Sequence, residues 1–432
     1  MISTETTIAM TGTSAPLRET ATAPYTARTL AALVFTQMLP ATLLAPAVRP
    51  FFAAAHRGDV SAMHAFMSLN MVGAAIGALV VSRTVRARPG RWLAALCTLD
   101  ALLMLAMAMP VPTPALLVLR TLEGGAHVGA SSLLLACAGH LRQERGDRRA
   151  MPMAGAALMM AIAAGSAIGA AAVAVDVRAP FVVATLILAG VALASSQLSL
   201  ELGRRPAGPA VGERASLAPP SLAGTARTTF RVALGAAFVG RFVVGCIVVS
   251  FALFAHHVHG LSDAKVGTLF TLLTIPFAFA TYPAGRLAER FSRAVLLASG
   301  GAVLGVALFA LGRVPTAALP LVMVAAGVGC AAVFAPTLCY AASAATTEGR
   351  ARAMGWVNAA GCLGMLLGPM ASGILSAVMK DPSDPGRAPR AAFVLAASSV
   401  VLWLAVSMRA LVRASLAELD ASRAGRDVRD GS

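Results

Sequence analysis

The sequence predicts an all-α integral membrane protein with 12 transmembrane helices in two pseudo-symmetric six-helix bundles. Three observations support this prediction. The composition is 58% hydrophobic and 12% charged, with a mean hydropathy of +0.77, whereas soluble proteins carry roughly 25% charged residues. Apolar runs of the roughly 20 residues that cross a bilayer recur along the chain. The two halves also resemble each other at a fixed offset.

The apolar runs form two sets of six, separated by a polar stretch rich in proline and glycine. The first six predicted spans are 30–49, 62–82, 92–110, 114–138, 152–174 and 179–199. The second six are 231–255, 266–284, 293–312, 316–343, 353–378 and 391–412. We therefore divide the chain into a disordered cytoplasmic N-terminal tail (1–27), a first bundle (28–200), a central cytoplasmic loop (201–229), a second bundle (230–413) and a cytoplasmic C-terminal tail (414–432).

The basic residues, which give a net charge of +16, lie in short clusters between the apolar runs. About 25 Lys and Arg lie on the side of both termini and about 8 on the other side. This bias predicts cytoplasmic termini in a bacterial inner (cytoplasmic) membrane. Aromatic residues make up only 5% of the chain, and no single basic face is evident, so nucleic acid is not an expected partner. We expect a monomer whose partners are the lipid bilayer and a small-molecule substrate.

The halves match each other at an offset of about 203 residues, which is the signature of an internal repeat. Chance is a poor explanation, because four matches fall in one register at equivalent places relative to the spans. The matches are Arg149-Ala150-Met151 with Arg352-Ala353-Met354, Gly124 with Gly327, Gly146 with Gly349, and Gly165 with Gly368.

The loop between spans 8 and 9 carries the most specific motif. It reads Gly285-Arg286-Leu287-Ala288-Glu289-Arg290-Phe291-Ser292-Arg293. This run resembles the G-x-L-a-D-R-x-G-R loop of the major facilitator superfamily, with Glu for Asp and Ser for the second Gly. A small residue lets two helices approach closely, and the acid and arginines can form a cytoplasmic charge latch. The equivalent loop between spans 2 and 3 keeps Arg88, Gly90 and Arg91, but Ala87 replaces the acid and Arg83 replaces the glycine.

Two further motifs support the same resemblance. In span 4, Arg120 is followed by Glu123 and Gly124, similar to a family pattern of Arg, Gln and Gly whose arginine is associated with proton transfer in proton-coupled members. The antiporter signature G-x-x-x-G-P belongs in span 5 of the family, where this chain keeps Gly165 and Gly169 without the proline. A fuller version, Gly364 to Gly368-Pro369, lies in span 11, and we interpret these residues, with Gly165 and Gly169, as helix-packing positions. The resemblance, from about residue 28 to 413, implies the superfamily's fold and suggests its drug/metabolite:proton antiporter branch.

Four charged residues lie well inside predicted spans, away from the span ends, namely Asp100, Arg120, Glu123 and Arg241. Such residues are costly in a bilayer, so a functional role is the default hypothesis. A rise of about 1.5 Å per residue places Glu123 roughly 13 Å and Arg241 roughly 15 Å deep, near the midplane. Arg120, Glu123 and His127 share one face of span 4.

The resemblance implies that spans 1, 4, 7 and 10 surround a central cavity. This arrangement would bring Gln37, His127 and Arg241 together there, with Asn358 as a further polar cavity residue. Arg241 could neutralise Glu123 or contact an anionic substrate.

Glu123 is our candidate for the protonatable group, paired with Arg120 or Arg241 and released from that pairing when it takes a proton. Arg120 and Asp100 are the other proton-coupling candidates. Two structural alternatives remain open: a permanent ion pair between Arg120 and Glu123, and packing of Asp100 against a polar neighbour such as Asn70.

We expect no metal and no cofactor, with the proton gradient as the energy source. His256, His257 and His259 are close in sequence, but no carboxylate or cysteine adjoins them, so solvated interfacial histidines fit better than a metal site. The chain has no G-x-x-x-x-G-K-[ST] phosphate loop and no nucleophile–His–acid constellation. Both an ATP-driven pump and an enzyme are therefore disfavoured.

These features together predict secondary active transport. The leading hypothesis is proton-coupled efflux of a small lipophilic drug or metabolite, as in drug resistance, because the spans are rich in apolar residues. The alternative is a proton symporter that imports an organic anion or sugar-like solute, and Arg241 is its best support. A membrane-embedded enzyme or sensor is a remote third possibility.

Overall fold

A computed structural model describes residues 25–55, 60–84, 89–197, 222, 224–345, 349–379, 381 and 383–430. Most of the predicted N-terminal tail and central loop, and Ala87 and Arg88, lie outside this part of the chain. Within it the secondary structure is helical, and no strand occurs. The helices are α1 (Ala27–Met38), α2 (Pro40–Leu43), α3 (Val48–Ala55), α4 (Val60–Thr84), α5 (Pro89–Ala108), α6 (Thr113–Glu144), α7 (Ala150–Val173), α8 (Ala179–Gln197), α9 (Gly224–His257), α10 (Asp263–Arg290), α11 (Arg293–Leu311), α12 (Leu319–Ala344), α13 (Arg350–Val378) and α14 (Arg387–Asp430).

The helices match the predicted spans in order. Span 1 is broken into α1, α2 and α3, with a 49° bend between Ala27–Leu43 and Val48–Ala55, and each later span is one helix, from α4 for span 2 to α14 for span 12. Among the described residues, ten helices are long and apolar enough to cross a membrane, and the bent pair would be an eleventh. The remaining helix, α6, is continuous over 32 residues. It is less apolar than the others because the charged residues of span 4 interrupt its apolar run. The structure is therefore consistent with the 12 predicted spans.

Two helices extend beyond their predicted limits. Helix α9 begins at Gly224, inside the predicted central loop, and α14 continues to Asp430 through the predicted C-terminal tail. The sequence after residue 413 has four Ala, two Leu and three Arg among its 19 residues, and these residue types favour helix. Hydropathy marks where the apolar run ends, and a helix with good formers can continue past that point.

The internal repeat is a repeat of helix packing. At four glycines of the two halves, a β-carbon would clash with the carbonyl oxygen of a neighbouring helix, so only glycine permits the observed approach. The partners are shifted by the same offset of about 203 residues as the glycines. The equivalent contacts are Gly165 with Leu39 and Gly368 with Phe242, and Gly124 with Asn70 and Gly327 with Leu273.

The halves meet along two helix pairs, α4 with α13 and α7 with α10. Gly285, the first residue of the family-like loop motif, lies at the second of these contacts. A β-carbon on Gly285 would lie 2.7 Å from the β-carbon of Pro152 in α7. Gly364 makes a comparable contact within the second half, where a β-carbon would meet the carbonyl oxygen of Phe238. The predicted small-residue positions are therefore points of close helix approach.

We expect Gly169→Ala to destabilise the protein and Gly190→Ala to leave it unharmed. A β-carbon on Gly169 would clash with the carbonyl oxygen of Leu43, whereas one on Gly190 meets nothing within 4 Å. Overpacking costs about 1–3 kcal/mol, while alanine favours a helix over glycine by about 1 kcal/mol. The midpoint of thermal unfolding in detergent should fall only for the first variant. Equal midpoints would contradict the packing described here.

Candidate transport site

A cavity of about 270 Å³ lies between the two halves. Its wall is mostly apolar, built from side chains such as Met38, Phe277 and Met365. The polar residues that line it are Thr42, Asn70, Arg120, Glu123, His127, Arg241, Thr274, Thr337 and Asn358. The charged members of this set come from α6 in the first half and α9 in the second.

Arg120 and Glu123 form a buried ion pair on α6. The Arg120 Nη1 donates to the Glu123 Oε2 at 2.6 Å, and the two side chains are only 5% and 2% exposed. The side-chain amide of Asn70 in α4 donates to the same Glu123 oxygen at 2.7 Å. The Arg120 guanidinium also lies 4.8 Å from the ring centroid of Phe66, a cation–π distance. The carboxylate thus faces a guanidinium, an amide and the cavity at once.

His127, one turn further along α6, pairs with Asp100 of α5. The His127 Nδ1 lies 2.8 Å from the Asp100 Oδ2, and Asp100 is fully buried. The polar partner of Asp100 in the structure is thus His127, whereas the Asn70 side chain bonds to Glu123. Gln37, predicted to line the cavity, is instead fully buried behind it and donates to the backbone carbonyl of His127 at 2.9 Å.

These pairs form one buried network, because Asp100, Glu123 and His127 each offer an atom within 4.8 Å of the others. Together with Arg120 the network holds two acids, one guanidinium and one imidazole. With both acids ionised, its net charge is zero when the imidazole is protonated and negative when the imidazole is neutral. A proton therefore balances the network. A metal ion among these three ligand groups would lie beside the Arg120 guanidinium, which repels it.

The network has no polar counterpart in the second half. The offset of about 203 residues that relates equivalent helix contacts places apolar or small residues at every corresponding position. Asp100, Arg120, Glu123 and His127 correspond to Val303, Met323, Ala326 and Cys330. The equivalent helices α11 and α12 therefore pack without these charges.

Arg241 and Asn358 lie on the second-half wall of the cavity. Among the described residues, Arg241 has no carboxylate within ion-pair distance, and its stem packs against Gly361. In this conformation the partner of Glu123 is therefore Arg120, and Arg241 does not pair with it. The Asn358 amide donates to the Ser132 hydroxyl at 2.8 Å and joins α13 to α6.

His256 and His257 in the last turn of α9 and His259 just after it do not converge on one point. The His256 Nδ1 lies 2.6 Å from the carbonyl oxygen of Leu261, and the His259 Nδ1 lies 2.8 Å from the Thr316 hydroxyl. His256 and His259 therefore each have a hydrogen-bond partner of their own.

A charge latch joins the halves at the predicted cytoplasmic end. The Arg142 Nε and Nη2 donate to the two carboxylate oxygens of Glu289 at 2.6 and 2.9 Å, and the side chains are 10% and 7% exposed. The partner of Glu289 thus comes from α6 of the other half, whereas Arg290 of its own loop is exposed. Arg293 instead donates to the Ser343 hydroxyl at 2.9 Å.

Polar contacts beside this latch also cross between the halves. The Gln143 amide donates to the Ala342 carbonyl at 2.9 Å, and Arg350 donates to the Gln143 side-chain oxygen. These contacts close the predicted cytoplasmic end beneath the cavity. In the loop between spans 2 and 3, Gly90 is buried and Arg91 exposed at the start of α5.

Sequence analysis missed the latch partner, because Arg142 belongs to the basic clusters between the apolar runs, which were interpreted only as a topology signal. Arg142 and Glu289 are 147 residues apart, so no local spacing links them. The bond between Asp100 and His127 was also missed, although both residues were singled out. Their helices are neighbours in sequence, but the sequence does not specify which faces meet.

Two six-helix halves around a buried polar site define the architecture of a multi-pass membrane transporter. Residues 233–428 match the family model of the Major Facilitator Superfamily. The fold matches the crystal structure of the human organic anion transporter MFSD10 (TETRAN), with a TM-score of 0.64, 18% sequence identity and coverage of 89% of this chain and 100% of that chain. A search of curated proteins finds no match. The family match covers most of the second half of this chain, and the structural match shows a shared fold over nearly its whole length; both agree with the resemblance seen in its motifs.

Proposed function

We propose that the protein is a proton-coupled secondary transporter that exports a small lipophilic drug or metabolite by alternating access. The observation that carries this proposal is the buried network of Asp100, His127, Glu123 and Arg120 beside the cavity. Titratable groups with this degree of burial are costly. Their absence from the equivalent positions of the second half argues that they serve function and not packing.

The proposed cycle alternates the protonation of this network. In the observed arrangement Glu123 is paired with Arg120 and Asn70. Protonation of Glu123 weakens its pairing with Arg120, and the Arg120 guanidinium can then bind another partner. Since α6 also carries Arg142 of the latch, a change in how α6 packs would reach the contact between the halves.

The lining of the cavity supports a lipophilic cargo. Most of the surrounding side chains are Met, Val, Leu, Phe and Ala, and apolar pockets with a few placed polar groups suit drug-sized ligands. We further propose that the protein is a monomer in a bacterial inner membrane, with both termini in the cytoplasm. The distribution of Lys and Arg supports that orientation.

Transport by inside-out vesicles tests this proposal. The purified chain is reconstituted, a pH gradient is imposed, and accumulation is measured for a panel of lipophilic cations, organic acids and siderophore-like molecules. We expect accumulation of at least one lipophilic compound that collapses when a protonophore dissipates the gradient. Accumulation that persists without the gradient would contradict proton coupling.

Arg241 favours a second candidate, the import of an organic anion by symport. It supplies a cation to the cavity wall that no described carboxylate neutralises within ion-pair distance. The structural neighbour MFSD10 is described as an organic anion transporter.

We expect Arg241→Ala to lose anionic substrates selectively if this second candidate is correct. A hydrogen-bonded charge is worth about 1.5–3 kcal/mol, so the apparent affinity for the anion should fall roughly 10-fold to 100-fold. Arg241→Lys, which keeps the charge, should retain a measurable part of the affinity for the anion. Equal losses for neutral and anionic substrates in a competition assay would contradict this candidate.

A further inference from the structure

A lateral groove of about 790 Å³ lies at the predicted cytoplasmic end, separate from the central cavity. Helices α1 and α7 form its walls, and Tyr282 of α10 reaches it from the other half of the molecule. Small side chains, including Ala31 and Ala156, leave the space open. Tyr282 is 37% exposed and Met160 is 40% exposed, so apolar surface remains uncovered along the groove.

The groove changes from polar to apolar along the membrane normal. Arg28, Asp147 and Arg149 surround its mouth, on the side where the arginine distribution places the cytoplasm. Phe35 lies seven residues deeper along α1, and Met160 lies eleven residues deeper along α7. At about 1.5 Å per residue these distances are roughly 10 and 16 Å. A charged mouth above an apolar floor of that depth matches a lipid headgroup above its acyl chain.

The charge at the mouth selects the class of lipid. Arg28 and Arg149 are exposed, and neither guanidinium has a carboxylate partner within the part of the chain that the structure describes. The Asp147 side chain accepts from the backbone N–H of Arg149 at 3.0 Å, which keeps this acid in a local turn. Two free guanidinium groups near a membrane surface attract anionic headgroups.

We infer that this groove binds one anionic phospholipid of the cytoplasmic leaflet, with its phosphate at Arg28 and Arg149 and an acyl chain along α1 and α7. The occupant would contact Tyr282 as well as the first half. Because a ligand that bridges both halves in one arrangement stabilises that arrangement, the lipid would favour the conformation closed at this end. This inference does not depend on the identity of the transported molecule.

Lipid retention by the full chain tests the inference. The protein is reconstituted in nanodiscs of equal parts phosphatidylcholine and phosphatidylglycerol, extracted in mild detergent, and its bound lipids are counted by native mass spectrometry. Two arginines predict a preference for phosphatidylglycerol of roughly tenfold or more. Added phosphatidylglycerol should also raise the thermal unfolding midpoint. Inorganic phosphate should neither be retained nor raise the unfolding midpoint, since it cannot occupy the apolar part of the groove.

The double variant Arg28→Gln and Arg149→Gln should lose both effects. Arg178→Gln is the matched control, because Asp176 and Arg178 form the same backbone turn at the other end of α7. The variant Ala31→Phe, which fills the groove without changing its charge, should lower retention of both lipids. The inference would be overturned if the double variant kept its preference for phosphatidylglycerol, or if Arg178→Gln lost that preference to the same extent.

Discussion

We expect the Glu123→Gln variant to lose proton-driven transport and to keep downhill transport. The glutamine can still accept a hydrogen bond from Arg120, so the local shape of α6 is retained, but an amide does not take up or release a proton at physiological pH. Accumulation against a gradient should fall to the level of vesicles without protein. Exchange of labelled for unlabelled substrate, which needs no net proton movement, should continue.

Two further variants separate coupling from structure. Asp384→Asn removes an exposed carboxylate that pairs with Arg390 outside the cavity, and it should transport like the parent chain. The double variant Arg120→Gln and Glu123→Gln removes both buried charges, so it leaves no unpaired guanidinium. If the pair were only structural, this neutral variant would recover proton-driven transport. Such recovery would refute the coupling role.

We expect Glu289→Gln to open the predicted cytoplasmic end. The carboxylate accepts two hydrogen bonds from Arg142 in a mostly buried site, and removing one partner of such a pair costs about 3 kcal/mol. The ratio of closed to open molecules should fall roughly 100-fold. Spin labels at Arg148→Cys and Phe291→Cys, both exposed positions on opposite halves, report the separation. All six native cysteines are buried, which limits background labelling.

The charge exchange Arg142→Glu with Glu289→Arg is the positive control for the latch. It places the same pair in the opposite orientation and should restore much of the closed population that Glu289→Gln loses. Arg290→Gln, next to the latch but exposed, should leave the distance distribution unchanged. An unchanged distribution in Glu289→Gln would contradict the assignment of this pair as a latch.

The sequence by itself determined the architecture of this protein. Hydropathy locates the spans because crossing a bilayer needs a long apolar run, and the repeat offset of about 203 residues predicted equivalent glycine contacts in the two halves, such as those of Gly165 and Gly368. Helical spacing also placed Arg120, Glu123 and His127 on one face of α6. These are properties of single helices or of the whole chain, and local sequence is sufficient for them.

Only the tertiary structure decided which charges meet. Asp100 pairs with His127, Gln37 supports the His127 backbone behind the cavity, and Arg142 pairs with Glu289 across the two halves. The residues of each pair lie on different helices, and their contact depends on how those helices cross and rotate. Packing of side chains along whole interfaces sets that geometry, and a periodic pattern within one helix carries no information about it.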